Sequence, residues 1–261
     1  MKRTRIEKIP LVLPSEIERL MCGATLYDSS CSPEARVYYI EKDGGYYLKT
    51  ASEGALFREA QLGAYFHKKG LSPEVLFYQS GQTDLLLTAR AEGEDATHPS
   101  FLAEPERLCD TMAYALRALH ETEAPDCPVK DRMTEYFHLA DKNYHEGKFD
   151  PFHFPDGAAF SSPSEAYAHM KNGQGILKNE VLLHGDYCLP NIILKNFSVT
   201  SFIDVGNGGI GDRHVDLFWG AWTLWFNLKT DRYRDRFLDA YGRDLVDKNI
   251  LSVVCAAECF G

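Results

Sequence analysis

The sequence has no apolar run that approaches the roughly 20 residues needed to span a bilayer. Its basic N-terminal stretch is interrupted by Glu7, Glu16 and Glu18 and leads into no long apolar segment, so no signal peptide is predicted. The 7 cysteines include no C-x-x-C pair and no zinc-ligand spacing, which favours free thiols over a disulfide framework or a zinc site. These absences predict a cytoplasmic protein without a membrane partner.

Positive charge is scarce in the chain, where 28 Lys and Arg residues stand against 38 Asp and Glu residues. Nucleic-acid binding requires a basic surface, so the formal net charge of −10 argues against a nucleic-acid partner. An acidic cleft would instead concentrate a cationic small molecule. The 261 residues suffice for one large domain or for two lobes, and the oligomeric state stays open between a monomer and a homodimer.

Strand patterns dominate the first 90 residues. The segments ARVYYIE (35–41) and YYLKTA (46–51) flank a KDGG turn and predict a β-hairpin. The segments EVLFYQ and LLLTA flank a second turn and predict a second hairpin. Between the hairpins, apolar residues at helical spacing predict a helix that ends at Gly70.

Helical patterns dominate the remainder of the chain. We expect helices over 104–120, 130–146, from 164 onward, and over 213–228, 231–241 and 246–259. Short strand-like pieces occur in this half at 181–183, 192–195 and 200–203. A run of strands followed by a run of helices predicts an α+β fold with two lobes, a β-rich N-lobe (residues 1–90) and a helical C-lobe (residues 91–261).

Five polar residues lie beside these elements in a fixed order. Lys49 lies in an otherwise apolar strand, and Glu59 follows on the next predicted helix. In HGDYCLPN (184–191), Asp186 and Asn191 have the spacing of the kinase loop H-R-D-x-x-x-x-N. Asp204 ends the predicted strand TSFID and is followed by glycines.

Phosphoryl transfer from ATP requires these residue types. A strand lysine neutralises the phosphates that are not transferred, and a helix glutamate orients the lysine. An aspartate orients the attacking hydroxyl and takes its proton, while an asparagine and a second aspartate hold Mg²⁺, which prefers hard oxygen ligands. Each residue alone has an ordinary explanation in surface charge or turn chemistry, but the ordered set favours a kinase-like protein.

The segments LLHGDYCLPNIIL and FIDVGNGGIGDRHVDL resemble the signature segments of the aminoglycoside phosphotransferase family, and most closely those of its 3′-phosphotransferases, or kanamycin kinases. The resemblance extends over essentially the whole chain, through SPEARVYYI, LLLTARAEGEDA and the final AAECF. It implies a protein-kinase-like fold with a nucleotide bound between the lobes. It also implies an enzyme that phosphorylates a hydroxyl of a cationic aminoglycoside, and so confers resistance to it.

The resemblance further implies a role for each matching residue. Asp186 would be the catalytic aspartate, and Asn191 and Asp204 would hold Mg²⁺. Lys49 would meet the α- and β-phosphates of ATP, with GTP possible in its place, and Glu59 would pair with Lys49.

Further positions match the nucleotide site of the family and its supporting residues. Ser32 matches a position that touches phosphate, in a loop without the protein-kinase G-x-G-x-x-G motif. Thr88, Ala89 and Ala91 match the hinge that reads adenine through backbone groups. Asp216 matches a structural aspartate that braces the catalytic loop.

The acceptor side follows from position within the family pattern. Asp150, Asp156 and Glu258 match carboxylates that hold the cationic sugar, although loop chemistry beside Pro and Gly explains Asp150 and Asp156 equally well. Asn207 stands where the family usually has a basic residue, and Gly261 follows the phenylalanine that matches the end of the family pattern. Both departures are expected to affect which acceptor is used.

Two alternatives remain at this stage. The catalytic set handles ATP rather than the acceptor, so a related kinase for choline, homoserine, methylthioribose or a sugar fits as well. A non-catalytic nucleotide-binding pseudokinase is disfavoured because the polar set is intact. A protein kinase is disfavoured too, because the chain has no D-F-G motif and only 12 residues separate Asp204 from Asp216.

Overall fold

The computed structural model describes residues 3–31, 35–151 and 160–261. The chain forms two compact units. The first comprises Met1–Gly93 with Thr200–Gly206, and the second comprises Glu94–Val199 with Asn207–Gly261. The lobe boundary at residue 90 stays a prediction. The segment 200–206 belongs to the first unit, so Asp204 lies in the same unit as Lys49.

The first unit is built on a six-stranded antiparallel sheet with the order β1-β2-β3-β4-β6-β5. Its elements are β1 (Thr4–Ile6), α1 (Ser15–Met21), β2 (Thr25–Asp28), β3 (Arg36–Glu41), β4 (Tyr46–Ser52), α2 (Phe57–Lys68), β5 (Val75–Gln79) and β6 (Thr83–Ala89). Both predicted hairpins are confirmed. The strands β1 and β2 were not predicted, because each is short and only pairing with its neighbour marks it as a strand.

Alternation along β4 decides where the functional lysine points. Leu48 is fully buried in a cluster that includes Ile17 of α1. Lys49 therefore faces the other side of the sheet, since successive side chains of a strand alternate. Its cross-strand partner is Leu86, which packs in the cluster that contains Ala60 of α2. The sheet thus directs Lys49 toward the helix that carries Glu59.

The second unit is mainly helical. Its helices are α3 (Pro99–Leu102), α4 (Pro105–His120), α5 (Arg132–His145), α6 (Pro163–Gly173), α7 (His214–Leu228), α8 (Arg232–Gly242) and α9 (Lys248–Glu258). The six long helices agree with the predicted ones to within a few residues. Five of them have an amphipathic pattern or a side-chain cap, which marks them in the sequence. In the described part of the chain, no helix has the length and apolar character required to cross a membrane.

Short strands position the functional loops of this unit. They are β7 (Glu94–Asp95), β8 (Val181–Leu183), β9 (Ile192–Lys195) and β11 (Gly209–Gly211), and β10 (Ser198–Phe202) leads back into the first unit. The strands β8 and β11 pair antiparallel, with Leu183 opposite Gly209. The sequence did not predict β11, because a Gly-Ile-Gly segment has little strand propensity and depends on β8 for its hydrogen bonds.

Candidate active site

In the first unit, a lysine joins two carboxylates. Lys49 Nζ lies 2.6 Å from Glu59 Oε2 and 2.6 Å from Asp204 Oδ1. The α2 helix supplies Glu59, and the segment after β10 supplies Asp204, which adopts a left-handed backbone with φ of 60°. Gly206 allows this approach, because a Cβ there would lie only 3.2 Å from the Cβ of Glu59. The expected Lys49–Glu59 pairing is therefore present.

Two carboxylates around one ammonium shift the protonation of the group. Burial tends to lower the pKa of Lys49, but the charges of Asp204 and Glu59 outweigh it and hold the pKa above its ordinary value. Burial, followed by the charge of Asp204, raises the pKa of Glu59 to about 7, against the opposing effect of Lys49. Lys49 is thus a fixed cation, suited to binding phosphate.

In the second unit, the loop between β8 and β9 presents the predicted catalytic residue. Asn191 Nδ2 donates to Asp186 Oδ2 at 2.8 Å and to the Asp186 carbonyl at 3.1 Å. The Asp186 N–H donates to His184 Nδ1 at 3.3 Å. The loop is a turn, since the Cys188 N–H bonds the Asp186 carbonyl and the Asn191 N–H bonds the Cys188 carbonyl. Turn chemistry therefore holds Asp186 and Asn191 together.

Asp216 holds this loop through hydrogen bonds to its backbone, as the sequence resemblance implies. It is fully buried, and its carboxylate accepts hydrogen bonds of 2.8 Å from the backbone N–H groups of both His184 and Gly185. His120 Nε2 lies 3.1 Å from Asp216 Oδ2, and His120 Nδ1 lies 2.8 Å from the hydroxyl of Tyr241. Burial lowers the pKa of His120, so the ring is neutral, donates to Asp216 and accepts from Tyr241.

Gly185 sets how closely the loop packs on the segment that follows Asp204. It has φ of +84°, and a Cβ there would lie 2.0 Å from the Asn207 carbonyl oxygen. Arg132 Nε donates to the same carbonyl at 2.8 Å. The backbone of Asn207 is therefore structural, while the residue itself is exposed.

The thiol of Cys188 lies beside the Asp186 carboxylate. Burial, together with the charge of Asp186, raises the pKa of this thiol well above its ordinary value. The thiol consequently stays protonated near neutral pH and can donate a weak hydrogen bond to Asp186. A protonated thiol is a poor nucleophile, so Cys188 does not compete with the acceptor hydroxyl for the phosphoryl group.

The residues assigned to Mg²⁺ offer the donor atoms that this ion prefers. Because Asn191 uses its amide nitrogen to bind Asp186, its amide oxygen remains as an acceptor. The carboxylate of Asp204 contacts Lys49 through Oδ1, and its side chain is 48% exposed. Both are hard oxygen ligands, so the side chains fit Mg²⁺.

The predicted hinge follows the end of β6. Thr88 and Ala89 pair with Tyr47 and Tyr46 of β4, and the Ala89 N–H bonds the Glu74 carbonyl. Ala91 lies beyond the strand, and its N–H bonds no other residue in the described ranges. Its N–H is therefore available as a donor, and its part in binding adenine stays a prediction.

The predicted acceptor residues differ in setting. Asp150 is exposed, and its N–H donates to the Cys259 carbonyl at 2.9 Å, which ties its loop to the end of α9. Glu258, the last residue of α9, is only 5% exposed. Ser32 and Asp156, predicted for the phosphate and the acceptor, lie outside the described residues.

Several residues that support the site carried no usable sequence signal. Tyr136 and Trp219 both donate to Glu258, and Thr223 Oγ1 accepts from the Leu189 N–H of the catalytic loop at 3.1 Å. Each lies on a helix and reads as an ordinary core or helix residue. Only the folded arrangement shows that these side chains reach the loop or the terminal helix.

Comparison with known proteins supports this assignment. The model of a family described as "Phosphotransferase enzyme family" matches residues 33–248. A "Probable aminoglycoside 3'-phosphotransferase" from Lactococcus lactis is 47% identical over 262 residues, covering 99% of this chain and 97% of the relative. An aminoglycoside 3'-phosphotransferase from Niallia circulans is 28% identical over 178 residues, covering 68% of each chain.

Solved structures share the fold. An aminoglycoside-3'-phosphotransferase of type VIII superposes with a TM-score of 0.76 at 23% identity, covering 92% of this chain and 94% of the other. An aminoglycoside phosphotransferase from Streptomyces rimosus, solved in complex with ADP and streptomycin, gives 0.69 at 25% identity, covering 87% and 91%.

The fold and these side chains together define an enzyme class, the phosphotransferases of protein-kinase-like fold. The chain belongs to the phosphotransferase enzyme family. The predicted fold class and the family resemblance are both confirmed, and the acceptor of the phosphoryl group is a hydroxyl.

Proposed function

We propose that the protein transfers the γ-phosphate of ATP to the 3′-hydroxyl of an aminoglycoside and so confers resistance to that antibiotic. The observation that carries the reaction is the hold of Asn191 on Asp186 in a loop braced by Asp216. The 47% identity to the Lactococcus lactis relative, over nearly the full length of both chains, supports the aminoglycoside as acceptor.

Asp186 orients the acceptor hydroxyl and accepts its proton. The hydroxyl oxygen forms a bond to the γ-phosphorus as the bond from that phosphorus to ADP breaks. The proton moves late because the transition state of phosphoryl transfer is loose. The bond from Asn191 fixes the carboxylate in place, so the reacting oxygen atoms lose little freedom at the transition state.

The nucleotide is held by the groups that the sequence predicts. Lys49, oriented by Glu59, binds the α- and β-phosphates, and the backbone at Thr88, Ala89 and Ala91 binds adenine. Asn191 and Asp204 would hold Mg²⁺, which would supply positive charge to neutralise the phosphates. GTP would satisfy the same phosphate contacts, so the base preference rests on the hinge.

The acceptor is a polycation, and carboxylates suit it. Asp150, Asp156 and Glu258 bind its ammonium groups, and Asn207 provides a neutral polar contact. An acidic chain with a net charge of −10 favours a cationic ligand over an anionic one.

A coupled ADP-release assay on the purified chain tests the proposal. The acceptors are kanamycin, neomycin and a kanamycin analogue without the 3′-hydroxyl, with choline, homoserine and methylthioribose as the alternatives. We expect turnover with kanamycin and neomycin and background ADP release with the deoxy analogue. Turnover with choline, homoserine or methylthioribose alone would reassign the acceptor, and background rates throughout would contradict catalysis.

A further inference from the structure

Two helices direct hydrogen-bond donors at a single oxygen atom of Glu258. The hydroxyl of Tyr136, on α5, donates to Oε1 at 2.7 Å. The indole Nε1 of Trp219, on α7, donates to the same Oε1 at 3.1 Å. Since an indole nitrogen can only donate, the contact fixes the acceptor role of that carboxylate oxygen. One oxygen thus receives two donors from outside its own helix.

The second oxygen of Glu258 is in a different position. Among residues 3–31, 35–151 and 160–261, no donor makes a hydrogen bond to Oε2. A Cβ placed on Gly261 would lie 2.9 Å from Oε2, and Gly261 is exposed. Oε2 therefore lies beside the exposed Gly261 and carries no hydrogen bond from the described residues.

The charge of Glu258 depends on its neighbours. Burial raises its pKa to about 7, the bonds from Tyr136 and Trp219 lower the pKa, the charge of Asp186 raises it and that of Arg132 lowers it. The titratable and charged groups that face Glu258 belong to α5, to the catalytic loop and to the C-terminal segment: Arg132, Tyr136, Asp186, Cys188, Cys255 and Cys259. Burial raises the pKa of all three thiols, so they are neutral near pH 7.

We propose that Tyr136 and Trp219 are positioning residues of the acceptor site, which hold Glu258 by Oε1 and leave Oε2 to bind an ammonium group of the acceptor. The inference rests on the proposed function, because it assigns the acceptor's cationic groups to this carboxylate. It adds two residues on separate helices, which act on the acceptor through Glu258.

Kinetics of Trp219→Phe, with Trp222→Phe as the matched control, test this role. Trp222 lies on the same helix in ring contact with Trp219 and makes no hydrogen bond to Glu258. For Trp219→Phe we expect the KM for kanamycin at pH 7 to rise roughly tenfold, because one hydrogen bond to a charged group is lost. The KM for ATP should be unchanged. Tyr136→Phe should act in the same direction.

The pH profile separates positioning from a general loss of structure. Loss of a donor raises the pKa of Glu258 further, so a larger fraction of it is neutral below pH 7. The ratio of wild-type to Trp219→Phe kcat/KM for kanamycin should be greatest at pH 6 and should narrow above pH 8. Equal behaviour of Trp219→Phe and Trp222→Phe in an active enzyme, or a loss independent of pH, overturns the inference.

A second measurement needs no acceptor. All 3 tryptophans lie on α7, so intrinsic fluorescence reports on this helix. A fluorescence titration of the wild type should show a step near pH 7, which Glu258→Gln removes and Trp222→Phe retains. A step that persists in Glu258→Gln overturns the inference. Inactivity of the wild type toward every aminoglycoside would instead contradict the proposed function, while this titration still decides whether Glu258 titrates beside Trp219.

Discussion

Lys49 Nζ and Asp204 Oδ1 are 2.6 Å apart although 155 residues separate them in the chain. The contact exists because the segment 200–206, which follows the loop 184–191 in the chain, belongs to the same unit as the strand that carries Lys49. The cation proposed to bind phosphate and one carboxylate proposed to hold Mg²⁺ are thus fixed to each other. Glu59 completes the arrangement from α2.

Lys49→Met should impair the use of ATP without unfolding the protein. The change removes the cation and leaves the carboxylates of Glu59 and Asp204 close together. Glu59 takes up a proton, which relieves the repulsion between the two negative charges. We expect kcat/KM for ATP to fall roughly 100-fold, because one charged contact that stabilises the transition state of phosphoryl transfer is lost. Lys68→Met, at an exposed position on α2, is the control in the same ADP-release assay and should match the wild type. Unchanged steady-state constants for Lys49→Met would remove Lys49 from the site.

Asp186→Asn should abolish turnover and leave nucleotide binding intact. The amide keeps the shape of the side chain but cannot accept the proton of the acceptor hydroxyl, so kcat should fall roughly 10³-fold. Calorimetric titration with ATP should give the wild-type Kd. Asp244→Asn, exposed and distant in sequence from the catalytic loop, controls for a change of charge. Near-normal kcat in Asp186→Asn would refute the assignment.

Asp216→Asn should destabilise the helical unit and lower kcat. The carboxylate accepts two backbone N–H bonds and faces His120, and an amide turns its NH₂ group toward one of those donors. A buried donor left without an acceptor should cost about 2 kcal/mol of unfolding free energy. Urea unfolding followed by tryptophan fluorescence measures the loss. An unchanged midpoint would mean that the brace contributes no stability.

Gly185→Ala should be far more damaging than Gly147→Ala. Both glycines have positive φ, +84° and +75°, but a Cβ at Gly147 meets nothing within 4 Å, whereas one at Gly185 meets the Asn207 carbonyl. The left-handed conformation alone should cost about 1 kcal/mol, and the clash should bring the cost at Gly185 to about 3 kcal/mol or more. The urea unfolding midpoints of the two variants give the comparison. Equal losses of stability would contradict the close approach of Gly185 to the Asn207 carbonyl.

Glu258→Gln should change how stability depends on pH. The pKa of Glu258 rises from 4.5 to about 7 on folding, so its contribution to stability is fully present below pH 4.5 and is lost as pH rises through 7. Relative to Glu258→Gln, the wild type should lose about 3 kcal/mol over that interval. Urea unfolding of both proteins at pH 4.5, 6 and 8 measures the difference. A difference that does not vary with pH would contradict the buried, ionisable state of Glu258.

The sequence predicted the elements that carry strong local signals. The hairpin over residues 35–51 has alternating apolar residues around a glycine turn, and α4 has an apolar stripe at helical spacing that begins after a proline. Short strands such as β1, β2 and β11 escaped prediction because their identity depends on a partner strand elsewhere in the chain.

For the site, the sequence predicted candidate catalytic residues but not the contacts that hold them in place. The spacing of Asp186 and Asn191 is a local property of one turn, and it predicted the pair correctly. The donors to Glu258 come from residues 122 and 39 positions away. No periodicity or motif encodes such pairs, since they arise where separate helices pack.

By itself the sequence determined the fold class and the family and predicted a catalytic set, because strand and helix patterns and loop motifs are local in the chain. The tertiary structure alone decided that Asp204 shares Lys49 with Glu59, that Asp216 receives both N–H groups of the catalytic loop, and that Tyr136 and Trp219 meet on Glu258. These contacts join distant segments, and burial makes them specific, because a polar group removed from water must find its partner within the folded chain.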